Sequence, residues 1–394
     1  MTSIHETAYP RFKPDLTQRE LDEIYTPNET EQRFARRLGR SNASRLYLMI
    51  LLKTVQRLGY FPMVADVPPS IVSFVTKALG LKLVPLCALV EEEKSRSRRD
   101  FIDAIRAHLK IHPITKDTDK AIELAATQAA QTKQELADII NVIIEELIRQ
   151  RYELPAFSRL NRTAFRIRNQ VNELYYHTLT DPLPAAVTSQ FDAMLTLSAG
   201  QLVTGWQQIK QDPKKPTNTE VRQYLERVKW LKSWACELPQ VDHIPVVKRG
   251  QYVYEARALD AADLKAMQQN KRYALMVLLF HAQLSKALDD AVDIFVRKMR
   301  KLHSGALEQL QLYYQEHQKR AEKLVSQLRD VLEAFQEGET DQDRGKRIAG
   351  AMHDNPEKLL AECEEHMAYA GNNYLPFMLV PYQTQRPLLL NCLG

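Results

Sequence analysis

Three groups of side chains carry the chemistry this sequence offers: Arg33, Arg36, Arg37, Arg40 and Arg45; Lys94, Arg96, Arg98 and Arg99; and Arg159, Asn161, Arg162 and Arg166. Lys and Arg neutralise phosphates and supply most of a protein's affinity for DNA. Arg or Asn brought to base edges from the start of a helix reads sequence in the major groove. Between residues 31 and 60, Arg33, Arg36, Arg37, Arg40, Arg45, Lys53 and Arg57 stand against Glu31 alone, an excess of +6 that exceeds the net charge of +5 for the whole chain. The charge is therefore asymmetric, with a basic front and acidic stretches such as Glu357 to Glu365 behind it, as expected of a chain that touches a polyanion. A solvated helix face is the plain alternative for any one group. Three groups within the first 170 residues, each beside a helix-turn-helix-like pattern, favour DNA.

Enzyme chemistry is not legible. No G-x-x-x-x-G-K-[ST], H-E-x-x-H, G-x-S-x-G or G-x-G-x-x-G occurs, which excludes the phosphate loop, the zinc-protease helix, the nucleophile elbow and the dinucleotide fingerprint. Gly338 and Gly345-Lys346 have the wrong spacing for a phosphate loop, and Arg347 stands where a magnesium-binding hydroxyl belongs. His108 and His112 lie four apart, but Pro113 puts His112 outside the helix, so no metal ligands are assigned. Asp289-Asp290 and Glu364-Glu365 read as solvated helix faces, and no catalytic residue is assigned. Cys87, Cys236, Cys363 and Cys392 are too scattered for a disulfide framework and suggest a reducing compartment. Met1 to Pro14 has no apolar leader, and no run approaches the ~18 apolar residues of a membrane span, so the expected location is cytoplasmic, with no membrane partner.

The elements that must position these groups are helices. The chain has 394 residues, 44% hydrophobic and 26% charged, a globular balance for two to three domains. Its 12 glycines are about half what a chain of this length ordinarily holds, which disfavours sheet-rich folds. Periodicity predicts an all-α fold: several small helical, helix-turn-helix-like DNA-binding domains followed by a long-helix, coiled-coil-like region. Residues 1–30 read as an extended lead-in and 31–115 as a first helical DNA-binding domain. Residues 116–180 read as a second, whose helix Gln134 to Tyr152 is followed by one capped by Ser158. Residues 181–259 form a helical linker domain with a polar loop from Asp212 to Pro216 and one hairpin from Val246 to Glu255. Residues 260–338 are long helices. Their seam of Leu307, Leu310, Tyr314, His317, Ala321, Leu324, Leu328, Val331 and Phe335 is a candidate dimerisation surface, or folds back on the Asp260 to His303 helix. Residues 339–394 read as the start of a further region. Tyr175, Tyr176, Trp230 and Trp234 are expected in cores rather than on bases.

Five ordered segments resemble a known family: FARRLGRSNASRLYLMILLKTVQRLGYFP, ADVPPSIVSFVTKALGL, SRSRRDFIDAIRAHLKIHPI, IIEELIRQRYELPAFSRLNRTAFRIRNQVN and NNYLPFMLVPYQTQRPLLL. They resemble the N-terminal region of the replicative transposases of the Tn-three group. The resemblance implies helical domains that bind the element's terminal inverted repeats, then a helical dimerisation region. In full-length members these precede an RNase-H-like domain whose Asp-Asp-Glu triad binds Mg²⁺. The triad has no counterpart positions here, so the resemblance implies a chain truncated before the catalytic domain, not an enzyme by itself and without a cofactor of its own. The implied partner is double-stranded DNA carrying the terminal inverted repeats, with self-association or pairing with a full-length transposase, in the bacterial nucleoid. The alternative is a coiled-coil protein-interaction module that binds no nucleic acid.

Overall fold

Side-chain caps set the first helices. In the structure, a computed structural model that describes all residues except 1, 83, 198–199, 201, 213–217, 353–354 and 394, Thr17 caps α1 (Gln18–Tyr25) and Asn28 caps α2 (Glu29–Leu38). Glu20 and Glu31 complete the two capping boxes, accepting from the Thr17 and Asn28 N–H groups at 3.0 and 2.8 Å. Residues 1–30 are therefore not an extended lead-in. The two capping boxes stand in the sequence, and Tyr9, Leu21 and Tyr25 are buried.

A break at Gly39 to Ser41 separates α2 from α3 (Asn42–Leu58), where the sequence pattern reads as one run. Every residue of α3 from Leu46 to Val55 is buried, which makes it the axis of the first core. Around it pack α4 (Pro69–Ala78), α5 (Leu86–Lys94) and α6 (Ser97–Leu109), contributing Ile71, Val75, Leu89, Phe101 and Ile105. Helix α5 has only Leu89 buried and too little periodicity to be seen in the sequence. Lys53 crosses the core to Glu31 at 3.3 Å, and Gln56 donates to the same carboxylate at 2.8 Å.

The second core is a three-helix unit of α7 (Lys116–Ala130), α8 (Leu136–Arg149) and α9 (Phe157–Thr180). Small residues Ala125, Ala126, Ala129 and Ala130 of α7 meet Ile139, Ile140, Ile143 and Leu147 of α8 and Leu160, Ala164 and Ile167 of α9. Ser158 does not cap α9: the N-cap is Ala156, without a side-chain bond, and Ser158 lies inside the first turn.

A short junction joins the two cores. The Leu154 N–H donates to the Gly59 carbonyl at 2.8 Å, the His112 N–H to the Arg151 carbonyl at 2.8 Å and the Glu153 N–H to the His112 carbonyl at 2.9 Å. Arg106 grips Glu153 at 3.1 and 2.6 Å. Gly59 ends α3 at φ 74°, and a Cβ there would meet Leu154 at 3.0 Å, so glycine is required on both counts. Tyr9 stacks on Tyr60 with centroids 5.5 Å apart, meets Phe157 edge-on and donates to the Pro155 carbonyl at 3.0 Å.

The chain continues through α10 (Ala185–Met194), α11 (Gly205–Ile209), α12 (Asn218–Ala235), α13 (Val246–Ala258) and α14 (Ala261–Ala266). It then forms α15 (Gln269–Glu337), α16 (Asp341–Ala351), α17 (Pro356–Met367) and α18 (Leu375–Leu393). Two compact units result, residues 1–195 with 239–278 and residues 196–238 with 279–394. About 77% of the residues are helical, and no strand occurs among the described residues, so the all-α class holds. The hairpin at Val246 to Glu255 is instead α13. Its β-branched and aromatic residues favour a strand locally, but Lys248, Tyr252 and Ala256, four apart, bury one helical face, and packing overrides propensity. Helix α15 is continuous, so the Leu307 to Phe335 seam does not fold back on the Asp260 to His303 stretch. Leu310 is buried, Tyr314, His317, Ala321, Leu324 and Val331 are half-buried, and Leu307, Leu328 and Phe335 are exposed. Tyr314, with Tyr313 and Phe377, gathers near Tyr369. Most of the polar loop from Asp212 to Pro216 lies outside the described residues.

The buried Glu31–Lys53 pair gives a measurable consequence. Burial disfavours the Glu31 carboxylate, but donation from Gln56 and the Asn28 N–H, together with Lys53, outweighs it, and its pKa is lowered. The stabilisation is present above the unfolded carboxylate value of about 4.3 and is lost as pH falls through the lower folded value. Lys53→Ala, which leaves the carboxylate buried without its cation, is expected to cost about 3–5 kcal/mol in urea unfolding at pH 7. The deficit relative to the unmodified chain should shrink below about pH 4, where Glu31 can take up a proton.

Candidate nucleic-acid interface

The arginines divide into those the fold uses and those it leaves in solvent. On α2, Arg33 and Arg37 lie one turn apart beside an open groove of about 280 Å³ that also includes Thr30, Phe34 and His108. The His108 ring stacks on Phe34 at 4.6 Å, and the Arg37 guanidinium sits 5.9 Å from the same ring. Arg33 pairs with Glu29 at 3.8 Å, while Arg36 and Arg40 are exposed. Arg45 is structural: its Nε donates to the Gly39 carbonyl at 2.9 Å and closes the α2–α3 corner.

Lys94, Arg96 and Arg99 are exposed around the α5–α6 corner. Arg98 is half-buried, bound to Glu93 and donating to the Tyr47 hydroxyl at 3.2 Å, so it holds the corner together. Arg96, Arg98, Arg99 and Arg106, with Asp100 and Asp103, line an open groove of about 600 Å³. The Ser41 hydroxyl lies 3.4 Å from Glu92, which brings the corner carrying Arg40 beside the end of α5 carrying Lys94. Arg40 of the first group thus lies near Lys94 of the second, whereas Arg33 and Arg37 sit beside His108, near the other end of α6.

On α9, Arg162 is exposed. Arg159 and Arg166, on either side of it, pair across to Asp119 and Glu123 of α7, each at 2.5 Å and each about half exposed. Such pairs are worth roughly 0.2–1 kcal/mol apiece and exchange readily with solvent ions. Asn161 is not available to bases: it is buried, and its Nδ2 donates to the Thr2 carbonyl at 3.3 Å. Its place next to Leu160 on the inner face of α9, covered by the N-terminal segment, explains the difference from the sequence expectation.

Two cationic residues near this site carry no sequence signal. Arg168, half-buried, reaches the Gln134 carbonyl at 3.5 Å and lies 5.3 Å from the ring of the exposed Phe165. Lys248 of α13 is fully buried; its ammonium donates to the Lys133 carbonyl at 3.2 Å and to Gln134 Oε1, at the end of α7. Burial, then the nearby Arg168 charge, push its pKa down to about 8. Reading residues 246–255 as a hairpin hid it. Tyr176 and Trp234 are buried, and Trp230 packs on Phe280, so these aromatics serve packing rather than base stacking. His112 lies beyond the end of α6, in the junction. Among the described residues no cluster of three or more His, Cys, Asp and Glu could hold a metal ion.

Residues 1–167, which span the first core and the second into α9, match the family described as a domain of unknown function, DUF4158. The chain is 25% identical over 315 residues to the transposase for transposon Tn501 of Pseudomonas aeruginosa, 79% of this chain and 31% of that protein. It is 27% identical over 304 residues to the transposase for transposon Tn3926 of Escherichia coli, 75% of this chain and 30% of that one. The chain is similar to transposases of the Tn-three group over about three quarters of its length. The transposase for transposon Tn21 of Escherichia coli is 24% identical over 227 residues, 57% of this chain and 23% of that transposase. The chain spans about a third or less of the length of these transposase relatives. Among its described residues no helix is long and apolar enough to cross a membrane.

The division of the arginines has a direct stability test. Arg98→Ala, which strips Glu93 and Tyr47 of their partner, is expected to cost about 1–3 kcal/mol. Arg162→Ala should change stability by less than about 0.5 kcal/mol. Thermal and urea unfolding of the two variants read the difference.

Proposed function

We propose that this chain binds double-stranded DNA as part of the transposition of a mobile element, with the element's terminal inverted repeats as its specific site. One observation carries the reading. In a chain similar to transposases, exposed basic residues from both helical cores, Arg36, Arg40, Lys94, Arg96, Arg99 and Arg162, belong to one compact unit, and no acidic partner meets them among the described residues. Phosphates are anchored by the first-core residues, and Arg33 and Arg37 add charge along α2. Helices α8 and α9 form a helix-turn-helix-like pair in which α9 enters the major groove, Arg162 reads a base and Arg159 and Arg166 take flanking phosphates.

The reaction assigned to these residues is recognition; no strand-transfer step and no cofactor is placed on them. Mg²⁺ chemistry belongs, in this reading, to the catalytic domain of the family. The DNA lies in the bacterial nucleoid, and a chain that holds the repeats competes for them with any other protein that binds them. A second role is supported by the exposed apolar residues Val325, Leu328, Leu332 and Phe335 near the end of α15, which suit self-association or pairing with a full-length transposase.

Fluorescence anisotropy with a repeat-containing duplex and a scrambled one, each at two salt concentrations, tests the DNA reading. Arg162→Ala should erode the preference for the repeat by about 1–3 kcal/mol. Arg40→Ala should weaken both duplexes alike and lower the slope of log affinity against log salt by roughly 0.9. Absence of any salt-sensitive complex contradicts the reading and leaves the protein-interaction role alone.

A further inference from the structure

The two ion pairs between α7 and α9 suggest more than a strut. Asp119 and Glu123 lie four residues apart, on one face of α7; Arg159 and Arg166 lie seven apart, on one face of α9, with Arg162 between them. In the DNA-binding reading this arginine row meets the phosphate backbone. Each flanking guanidinium is already held by a carboxylate at 2.5 Å. All four side chains are about half exposed, so a guanidinium can leave its carboxylate without any part of the core opening.

We propose that Asp119 and Glu123 are internal phosphate mimics: they occupy Arg159 and Arg166 in the free protein, so that α9 engages a duplex by exchanging carboxylate for phosphate. The inference rests on the DNA-binding reading and deepens it. Exchange has a signature that mere positioning lacks. A free arginine that neutralises a phosphate releases a condensed counterion and steepens the salt dependence by about 0.9. An arginine taken from a carboxylate leaves behind an anion that recruits a cation, so the net release is smaller. The abandoned carboxylate also repels the backbone, and it does so whatever the base sequence.

The test uses the full chain carrying Asp119→Asn and Glu123→Gln together, with anisotropy on the repeat-containing and scrambled duplexes over a salt series. Both duplexes should bind about three- to ten-fold tighter at low salt, and the salt slope should steepen by up to roughly 0.9 per released arginine. Asp117→Asn is the control. It removes a negative charge from the same helix, but Asp117 pairs with Lys120 within α7 at 3.0 Å, and its effect should stay below about two-fold. Should the double variant melt early, the single variants Asp119→Asn and Glu123→Gln, each keeping one pair, carry the same comparison at half the effect. Unchanged or weaker binding by folded variants, while the unmodified chain binds in a salt-sensitive way, overturns the mimicry and leaves DNA binding standing. A gain from Asp117→Asn equal to that of the others also overturns it, because net charge alone then explains the effect. Failure of the unmodified chain to form any salt-sensitive complex removes the DNA reading and this inference with it.

Discussion

The closure of Leu154 onto Gly59 is the constraint on which the proposed recognition surface depends. Each helical core buries its own apolar faces, and nothing in either core alone fixes where the arginines of α2 and the α5–α6 corner stand relative to those of α9. That is done by a few backbone hydrogen bonds linking Gly59, His112, Arg151, Glu153 and Leu154, and by the Arg106–Glu153 pair beside them. Tyr9 is laid across the same place, against Tyr60 and Phe157. Backbone groups held this way leave little freedom for one core to swing against the other. In the proposed DNA-binding reading, contacts from both cores then have a fixed spacing.

The same economy governs the basic residues. A chain with 54 Lys and Arg against 49 Asp and Glu does not leave all its cations for a ligand. Arg45 closes a corner, Arg98 and Arg106 hold α5, α6 and the junction, and Lys248 pins α13 to the end of α7. Of the arginines the sequence singles out, those left in solvent are a smaller set, among them Arg36 on α2, Arg40 just after it, Arg96 and Arg99 at the α5–α6 corner and Arg162 on α9.

Much of this was legible in the sequence. The all-helical class followed from the spacing of residues such as Ile139, Ile143 and Leu147, and the stop before Pro113 and the break at Gly59 were visible as breakers. The helix start at Thr17 was also there to be read, in its capping box with Glu20, but proline and polar composition around it suggested an extended lead. Other features were not legible because they are decided by long-range contacts. Nothing near Asn161 says that residue 2 will cover it, and nothing near Val246 says that Lys248 and Tyr252 will be drawn into a buried helical face. For the same reason the sequence shows which arginines exist but not which are spoken for: the partners of Arg106 and Arg166 lie more than forty residues away.

The central claim is that the two cores present their basic residues to DNA as one body. A footprint of the full chain on a repeat-containing duplex should show two protected blocks, one from each core. Inserting about 5 base pairs between the blocks, half of a helical repeat of about 10–10.5 base pairs, turns one set of contacts to the far side of the duplex. The account predicts that this insertion costs at least about ten-fold in affinity and removes protection from one block. Undiminished affinity, with both blocks still protected, would contradict it by showing two independently tethered domains.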